Sequence, residues 1–478
     1  MFYIMRKEWV VPDLETYEEL AEAFRGGNTH ANRYCVAPED CPPMIHHNVK
    51  SYDRSSSYPD VMCNMEFPLG KWQRRGGVFD ETEIAKYKKL HRAMVFRAKF
   101  YNIRLKDELW GCPYLSKDKA YNLRKLTSKQ IYSLQEKGEI EVEIDNGRIL
   151  KASLLHTCIT DVDFDIISSE YVWDKLEITD LKVCRYNPLP KEFIALIQHY
   201  YRNKTELKGV EDQKYLYAES KAKINSLYGM AAQKTIKNPI CFNDSEEPDL
   251  DNQLYIEEQA DKQQQIDDSI RKAFLPYSIG VWVTAWARYW LEQAIILIHN
   301  TPGARFIYTD TDSVKFTGEV DFTELNSRIQ ANSERTLSYA TDRKGNIHYM
   351  GVYEYEETYE QFATMGAKKY IYGSEEKFHL TVAGLVKYKE GIEVSANELK
   401  KLGGFSQFRA GTEFVESGGM EAVYNDNKIC GEITIDGHPL QITRNICLKP
   451  STYTLGLTNE YSRLLKMLQI GVDNHAVL

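Results

Sequence analysis

Apolar and polar positions alternate along this chain with two different periods. Runs of period two bounded by turn residues predict strands; apolar positions recurring every three to four residues predict helices. Residues 306–316, Phe-Ile-Tyr-Thr-Asp-Thr-Asp-Ser-Val-Lys-Phe, read as strand, tight reversal and strand. Alternation through Met94–Ile103 predicts another strand. Helical spacing appears once within residues 1–23, through Pro190–Lys204 and Glu211–Lys234, and across 277–299; Lys117–Lys129 is a polar helical stretch. Residues 243–270 are acidic, Gln-rich and poor in large apolar groups, the composition of a loop or insertion. Beyond Leu402 the chain turns β-rich with Gly punctuation, which predicts a separate C-terminal lobe. No internal repeat is visible.

A chain of 478 residues exceeds a single-core domain, so several subdomains are expected. A hydrophobic share of 43% with 27% charged residues fits a globular protein. The net charge of −9 argues against a protein that coats nucleic acid indiscriminately. It leaves room for a local basic channel, because the field depends on where charges lie. Residues 71–106 are strongly basic, and 32 tyrosines could supply stacking surfaces. Nine cysteines without a C-x-x-C pair suggest free thiols in a reducing cytoplasm. The apolar run Val281–Ile298 is broken by Arg288 and Glu292, so it reads as a buried helix and no membrane partner is expected. The amino terminus becomes charged too early for a signal peptide.

The chemistry concentrates at Asp310 and Asp312. In an extended chain, residues two apart share a side, and like charges held together need a cation. Mg²⁺ takes oxygen ligands from one or two carboxylates plus substrate phosphates. Taken alone, D-T-D has a solvated turn as its second reading, at roughly one in three. A third carboxylate, Asp53, ends a strand-like run, and Pro59 closes the turn that follows. Lys221, Asn225 and Tyr228 fall at i, i+4 and i+7 of one helix, a face about 10 Å long, roughly that of a nucleoside triphosphate. Lys204 on the preceding helix could reach the same phosphates. Lys368 and Tyr370 share a face of a predicted strand. Phe24-Arg25-Gly26-Gly27 is a turn where backbone can approach a ligand. Asp13 and Glu15 form a D-x-E pattern of the kind nucleases use, but about fifty residues before Asp53 are too few for a nuclease domain, so both read as solvated charges.

Three motifs occur in order: D-R-S-S-S-Y-P at Asp53, K-A-K-I-N-S-L-Y-G at Lys221 and Y-T-D-T-D-S at Tyr308. Together they closely resemble the polymerase motifs of the family B DNA polymerases. Phe24-Arg-Gly-Gly27 is similar to an element of the protein-primed branch, found in small bacteriophages and linear plasmids. Thr160-Asp-Val-Asp-Phe-Asp-Ile-Ile resembles that branch's first terminal-protein region. Thr284-Ala-Trp-Ala-Arg288 resembles its helix leading into the D-T-D strand, and Lys368-Lys369-Tyr370 its K-x-Y motif. Ser57 stands where the family usually has Leu, and Phe24 where it has Tyr.

The resemblance implies an α+β right-hand fold with an antiparallel palm sheet, helical fingers, a small β-rich thumb and two insertions. On this division 1–50 is an entry segment, 51–108 the first part of the palm and the start of an insertion, 109–192 the first insertion, 193–234 the fingers, 235–276 a second, acidic insertion, 277–400 the second part of the palm, and 401–478 the thumb. It implies template-directed DNA synthesis with two Mg²⁺ ions, Mn²⁺ being able to substitute. Asp53 and Asp312 would be direct ligands, Asp310 a support, and the Arg54 carbonyl a further donor. Lys204 and Lys221 would hold the phosphates of a dNTP, Tyr58 would exclude a 2′-hydroxyl, and Asn225, Tyr228 and Gly229 would flank the nascent pair. Lys368, Lys369 and Tyr370 would hold the primer end of primer-template DNA, and Phe24, Arg25, Gly26 and Gly27 would guide the template. A terminal protein and a separate exonuclease chain are implied partners, since no proofreading half is expected in these residues. The alternatives are a primase-like enzyme, disfavoured by Tyr58, and a decayed polymerase acting as a replisome scaffold, disfavoured by the intact acids.

Overall fold

The structure is a computed structural model; it describes residues 10, 12–233, 276–389, 392–435, 438–458 and 461–468, with short pieces between 236 and 268. The acidic stretch 243–270 and the amino-terminal residues 1–9 therefore lie almost wholly outside the described residues.

Two antiparallel sheets organise the chain. The first has seven strands in the order Asn28–Ala31, Arg305–Thr311, Ser313–Thr317, His46–Arg54, Tyr353–Gly366, Lys369–Gly373 and Phe378–Val382. Every strand pairs antiparallel with its neighbour. Chain segments far apart in sequence meet in this sheet, and the register brings Ser313 opposite Asp53 and Glu354 opposite Asp53 on the other side. It is the expected palm.

The helix Tyr277–Asn300 is apolar almost all round, as a fully buried helix must be. It packs against the palm strands, the amino-terminal helix Leu14–Ala23, the helix Ser57–Asn64 and the helix Asp161–Glu170. Trp282, Leu291 and Ile298 on it are core residues. Arg288 and Glu292, which interrupt its apolar run, are also buried, and Arg288 pairs with Asp163 instead of facing water. Among the described residues no helix is long and apolar enough to cross a membrane.

The second sheet has the order Glu66–Pro68, Lys175–Pro188, Arg92–Leu105, Arg148–Thr160 and Val142–Asp145, with Gln73–Arg75 and Tyr171–Val172 paired to its sides. The predicted strand at Met94–Ile103 is its centre. The insertion expected to start within 51–108 contributes strands from Glu66 onward: Arg92–Leu105 pairs with Arg148–Thr160 and Lys175–Pro188 and not with the palm. The Lys117–Lys129 stretch forms only a 3₁₀ turn, Lys117–Lys119, with the helix delayed to Ser128–Glu136, where Thr127 and Gln130 form a capping box.

Two helices, Lys191–Glu206 and Lys214–Ala231, pack together as the expected fingers. At the carboxyl end, Val394–Leu402 and the strand Phe378–Val382 enclose a second small core with Phe405, Phe408 and Leu455. A long hairpin, Met420–Ile435 with His438–Pro450, follows, and the helix Tyr461–Leu468 closes the described chain.

Candidate active site

Asp53 stands near the end of the strand His46–Arg54, beside the Asp310–Asp312 turn. The Arg54 amide donates to the Asp312 carbonyl at 3.0 Å, which fixes the two acidic segments side by side. The doublet is not an extended pair. Thr311 between the acids takes a left-handed conformation, φ +66°, so alternation stops at the turn and the two acids meet different partners. A β-branched residue there is strained by about 1–3 kcal/mol, a cost that persists only where the surroundings dictate it. Asp310 is ion-paired with Lys368 and accepts from Thr29 Oγ1 at 3.1 Å.

Asp53 and Asp312 have no such cation to themselves. Burial, followed by the charges of Asp312 and Glu356, pushes the Asp53 carboxyl up to about 7. Burial also raises Asp312, to about 6, with Arg54 opposing and Asp310 adding to the rise. Lys315, 4% exposed, lies among these acids, its ammonium donating to Ser313 Oγ at 3.0 Å. Among the described residues no three Asp, Glu, His or Cys side chains make a ready ion site. The donors suit a hard divalent cation all the same: two half-buried carboxylates destabilise each other's charge, and a cation between them would relieve both.

Asp53 opens into a cavity of about 790 Å³ that Lys204, Lys221, Glu354 and Glu356 also line. Lys204 donates to Ser56 Oγ at 2.9 Å. Burial and then the neighbouring Lys221 and Lys208 pull it below the ordinary lysine range. Tyr58 stacks on Tyr228 of the second finger helix, ring centroids 4.1 Å apart. Asn225 and Gly229 are exposed on that helix, and nothing lies within 4 Å of where a Gly229 Cβ would be.

Several expected roles change with the structure. The Arg25 side chain is buried and committed, donating to the carbonyls of Ala23 and Cys158 at 2.9 Å and to Thr157 Oγ1 at 2.9 Å. It cannot guide a template; it ties the Gly-Gly segment to the second sheet. Phe24 packs against Tyr277, centroids 6.0 Å apart. Gly26 is open, whereas a Cβ on Gly27 would lie 2.6 Å from Thr311 Cγ2. Lys368 sits in the hairpin turn, left-handed at φ +57°, not in the strand, which begins at Lys369. Lys369 donates to the Gly456 carbonyl at 2.6 Å, so it tethers the carboxyl lobe. Tyr370 packs on Tyr308 at 5.0 Å. The Arg54 side chain turns away from the cavity onto Asp60 and Ser57, and Ser57, in the family's Leu position, is buried to accept it at 2.9 Å. Asp13 is exposed, as expected of a solvated charge, and also caps the helix Leu14–Ala23 by accepting from the Thr16 amide at 2.8 Å. Glu15 pairs with Arg74 at 3.0 Å and with Lys182 at 3.2 Å.

Sequence reasoning gave no role to the buried knot that joins three of its motifs. Arg288 donates to Asp163 Oδ1 at 2.7 Å, to the Tyr114 hydroxyl at 2.7 Å and to the carbonyls of Arg25 and Gly26. The only signal for it was a pair of charges inside apolar runs.

Residues 1–272 match the family described as DNA polymerase type B, organellar and viral. The chain belongs to that family. DNA polymerases of Bacillus phage B103 and Bacillus phage Nf are 24% and 23% identical to this polymerase-family chain over 312 residues, 63% of it. That match spans 43% of each relative, less than half its length. Phi29 DNA polymerase complexed with single-stranded DNA superposes with a TM-score of 0.60 at 19% identity, covering 94% of this chain and 64% of that one. Its ternary complex with primer-template DNA and incoming nucleotides gives 0.56 at 18%, with the same coverage. The right-hand fold follows from this likeness.

Proposed function

We propose that this chain is a template-directed DNA polymerase that adds deoxynucleotides to a primer 3′-hydroxyl in the host cytoplasm. The observation that carries the reading is the meeting of Asp53 with the Asp312 segment, 259 residues apart in sequence, at the edge of a cavity that Asp53 lines together with Lys204 and Lys221. The primer oxygen forms a bond to the α-phosphorus. The bond from that phosphorus to the bridging oxygen breaks, pyrophosphate leaves with the electron pair, and the hydroxyl proton passes to solvent.

Asp53 and Asp312 would hold the divalent cations, Mg²⁺ or Mn²⁺, which when bound supply charge stabilisation for the attacking and leaving oxygens. Lys204 and Lys221 neutralise phosphate charge as it develops. Tyr58 and Tyr228 stack on each other where the sugar and base of a dNTP would go, so an incoming nucleotide must part them. Tyr58 then bars a 2′-hydroxyl. Lys368, through its contact with Asp310, and Tyr370 place the primer end. Gly26 and Gly27 offer main chain to the template. The primer hydroxyl is borne by a terminal protein or a nucleic-acid end; extension from each, side by side, separates the two.

The test is primer extension with Asp312→Asn. Incorporation should fall at least a thousandfold while primer-template binding stays within twofold. Retained incorporation would remove the metal assignment.

A further inference from the structure

The hairpin formed by Tyr339–Thr341 and Ile347–Tyr349 lies between the D-T-D strand and the K-x-Y turn, outside every motif named above. It packs against the finger helix Lys191–Glu206, and Tyr349 donates to Glu334 at 3.0 Å. Its tip reaches the catalytic cavity: Arg343, Lys344 and His348 line it together with Lys204, Lys208 and Lys221.

The turn is built to present charge. Asp342 Oδ1 accepts from the amides of Lys344 and Asn346 at 2.8 and 2.9 Å. Its Oδ2 takes Asn346 Nδ2 at 3.0 Å and lies 3.1 Å from His348 Nε2. Gly345 supplies the left-handed residue, φ +86°. The one acid of the turn is thus occupied within it and leaves the neighbouring cations unneutralised. Arg343 and Lys344 are exposed at the tip, and among the described residues neither they, Lys208 nor Lys221 makes an ion pair. Five cations, Lys204, Lys208, Lys221, Arg343 and Lys344, line one cavity with five carboxylates, Asp53, Glu206, Asp342, Glu354 and Glu356. With Asp342 held inside its own turn, the exposed Arg343 and Lys344 face the cavity opposite the finger lysines, where a bound polyanion would meet both walls.

We propose that Arg343 and Lys344 bind the β- and γ-phosphates of the incoming nucleotide and hold the same two phosphates as they leave as pyrophosphate. This rests on the polymerase reading and extends its phosphate site to a second wall. The bond made and broken is the one already described; the hairpin receives the leaving group and takes no proton. A guanidinium suits two phosphate oxygens at once, and an ammonium adds a mobile point charge.

The double variant R343A/K344A tests this in the full chain. The KM for dNTP and the inhibition constant for inorganic pyrophosphate should rise together by about tenfold, the effect of about 1.4 kcal/mol. Primer-template affinity and kcat should stay within about twofold, and R343K/K344R, which keeps both charges, should recover part of the loss. Unchanged KM and inhibition constant, or a change confined to DNA affinity, would overturn the assignment. Calorimetric titration of the wild-type and double-variant chains with magnesium pyrophosphate separates the two readings. A wild-type chain that extends no primer but loses pyrophosphate affinity on R343A/K344A sinks the polymerase reading and keeps the hairpin site. A wild-type chain that extends primers while both forms bind pyrophosphate equally sinks the hairpin site alone.

Discussion

Replacing Asp163 by Asn should loosen the junction between the palm, the Gly-Gly segment and the second sheet. Asp163 is fully buried at 0% exposure. Burial by itself would raise its carboxyl; Arg288 and then Arg25 overcome this and hold it at about 2. Against the ordinary carboxyl value of 3.8, this corresponds to about 2 kcal/mol of stability at neutral pH. The sign follows from a depressed folded value: this stability is present above pH 3.8 and is lost as pH falls through about 2. Asp163 Oδ2 also accepts from the Thr160 amide and hydroxyl at 3.1 and 2.9 Å, completing a capping box on the helix Asp161–Glu170, and losing half of it costs about 1 kcal/mol. The total, about 3 kcal/mol, meets the lower end of what breaking a buried ion pair costs. Urea unfolding at pH 7, followed by tryptophan fluorescence, measures it. The variant D163N/R288M should cost less than the sum of the single changes, since the second removes the charge that the first orphans. A D163N loss below about 0.5 kcal/mol, or strict additivity, would refute the account of the knot as one coupled unit.

Tyr58→Val should admit ribonucleotides, raising rNTP incorporation relative to dNTP by about a hundredfold; unchanged sugar selectivity in single-nucleotide insertion would take Tyr58 out of the gate. Gly27→Ala should abolish extension, because its Cβ would strike Thr311 beside the acids, and G27A/T311G should recover part of it; no recovery would disconnect Gly27 from the turn. Glu292→Gln should flatten the loss of stability with rising pH. Burial lifts Glu292 to about 8, and its Oε1 and that of Glu170 are both buried without a donor. A raised folded value means stability is full below pH 4.5 and lost as pH rises through about 8, so E292Q should be the more stable form at pH 9. Parallel wild-type and variant curves between pH 6 and 9 would refute the raised Glu292 carboxyl.

Much of the site was legible because its motifs are local. Asp53, Tyr58, Lys221 and Tyr228 belong to short patterns whose spacing alone sets a strand end, a turn and a helix face. The misassignments share a cause. The family resemblance gives Arg25 a template role and Lys369 a primer role, but whether a cation is available for a ligand depends on which acceptors the fold carries to it. For Arg25 these are the carbonyl of Cys158 and the hydroxyl of Thr157, and for Lys369 it is the carbonyl of Gly456. Arg343 and Lys344 were missed for the converse reason, since nothing in T-D-R-K-G-N-I tells that its tip overhangs a cavity.

By itself the sequence determined the periodic elements, the buried character of the helix Tyr277–Asn300 and the identity of the acids, because these depend on residues within a turn or two of one another. Only the tertiary structure decided that Asp53 lies beside Asp312, that Thr311 must be left-handed against Gly27, and that Asp163 and Arg288 close a knot between motifs. Those facts rest on strand register and on desolvation, and both are set by chain segments hundreds of residues apart whose pairing no local pattern specifies.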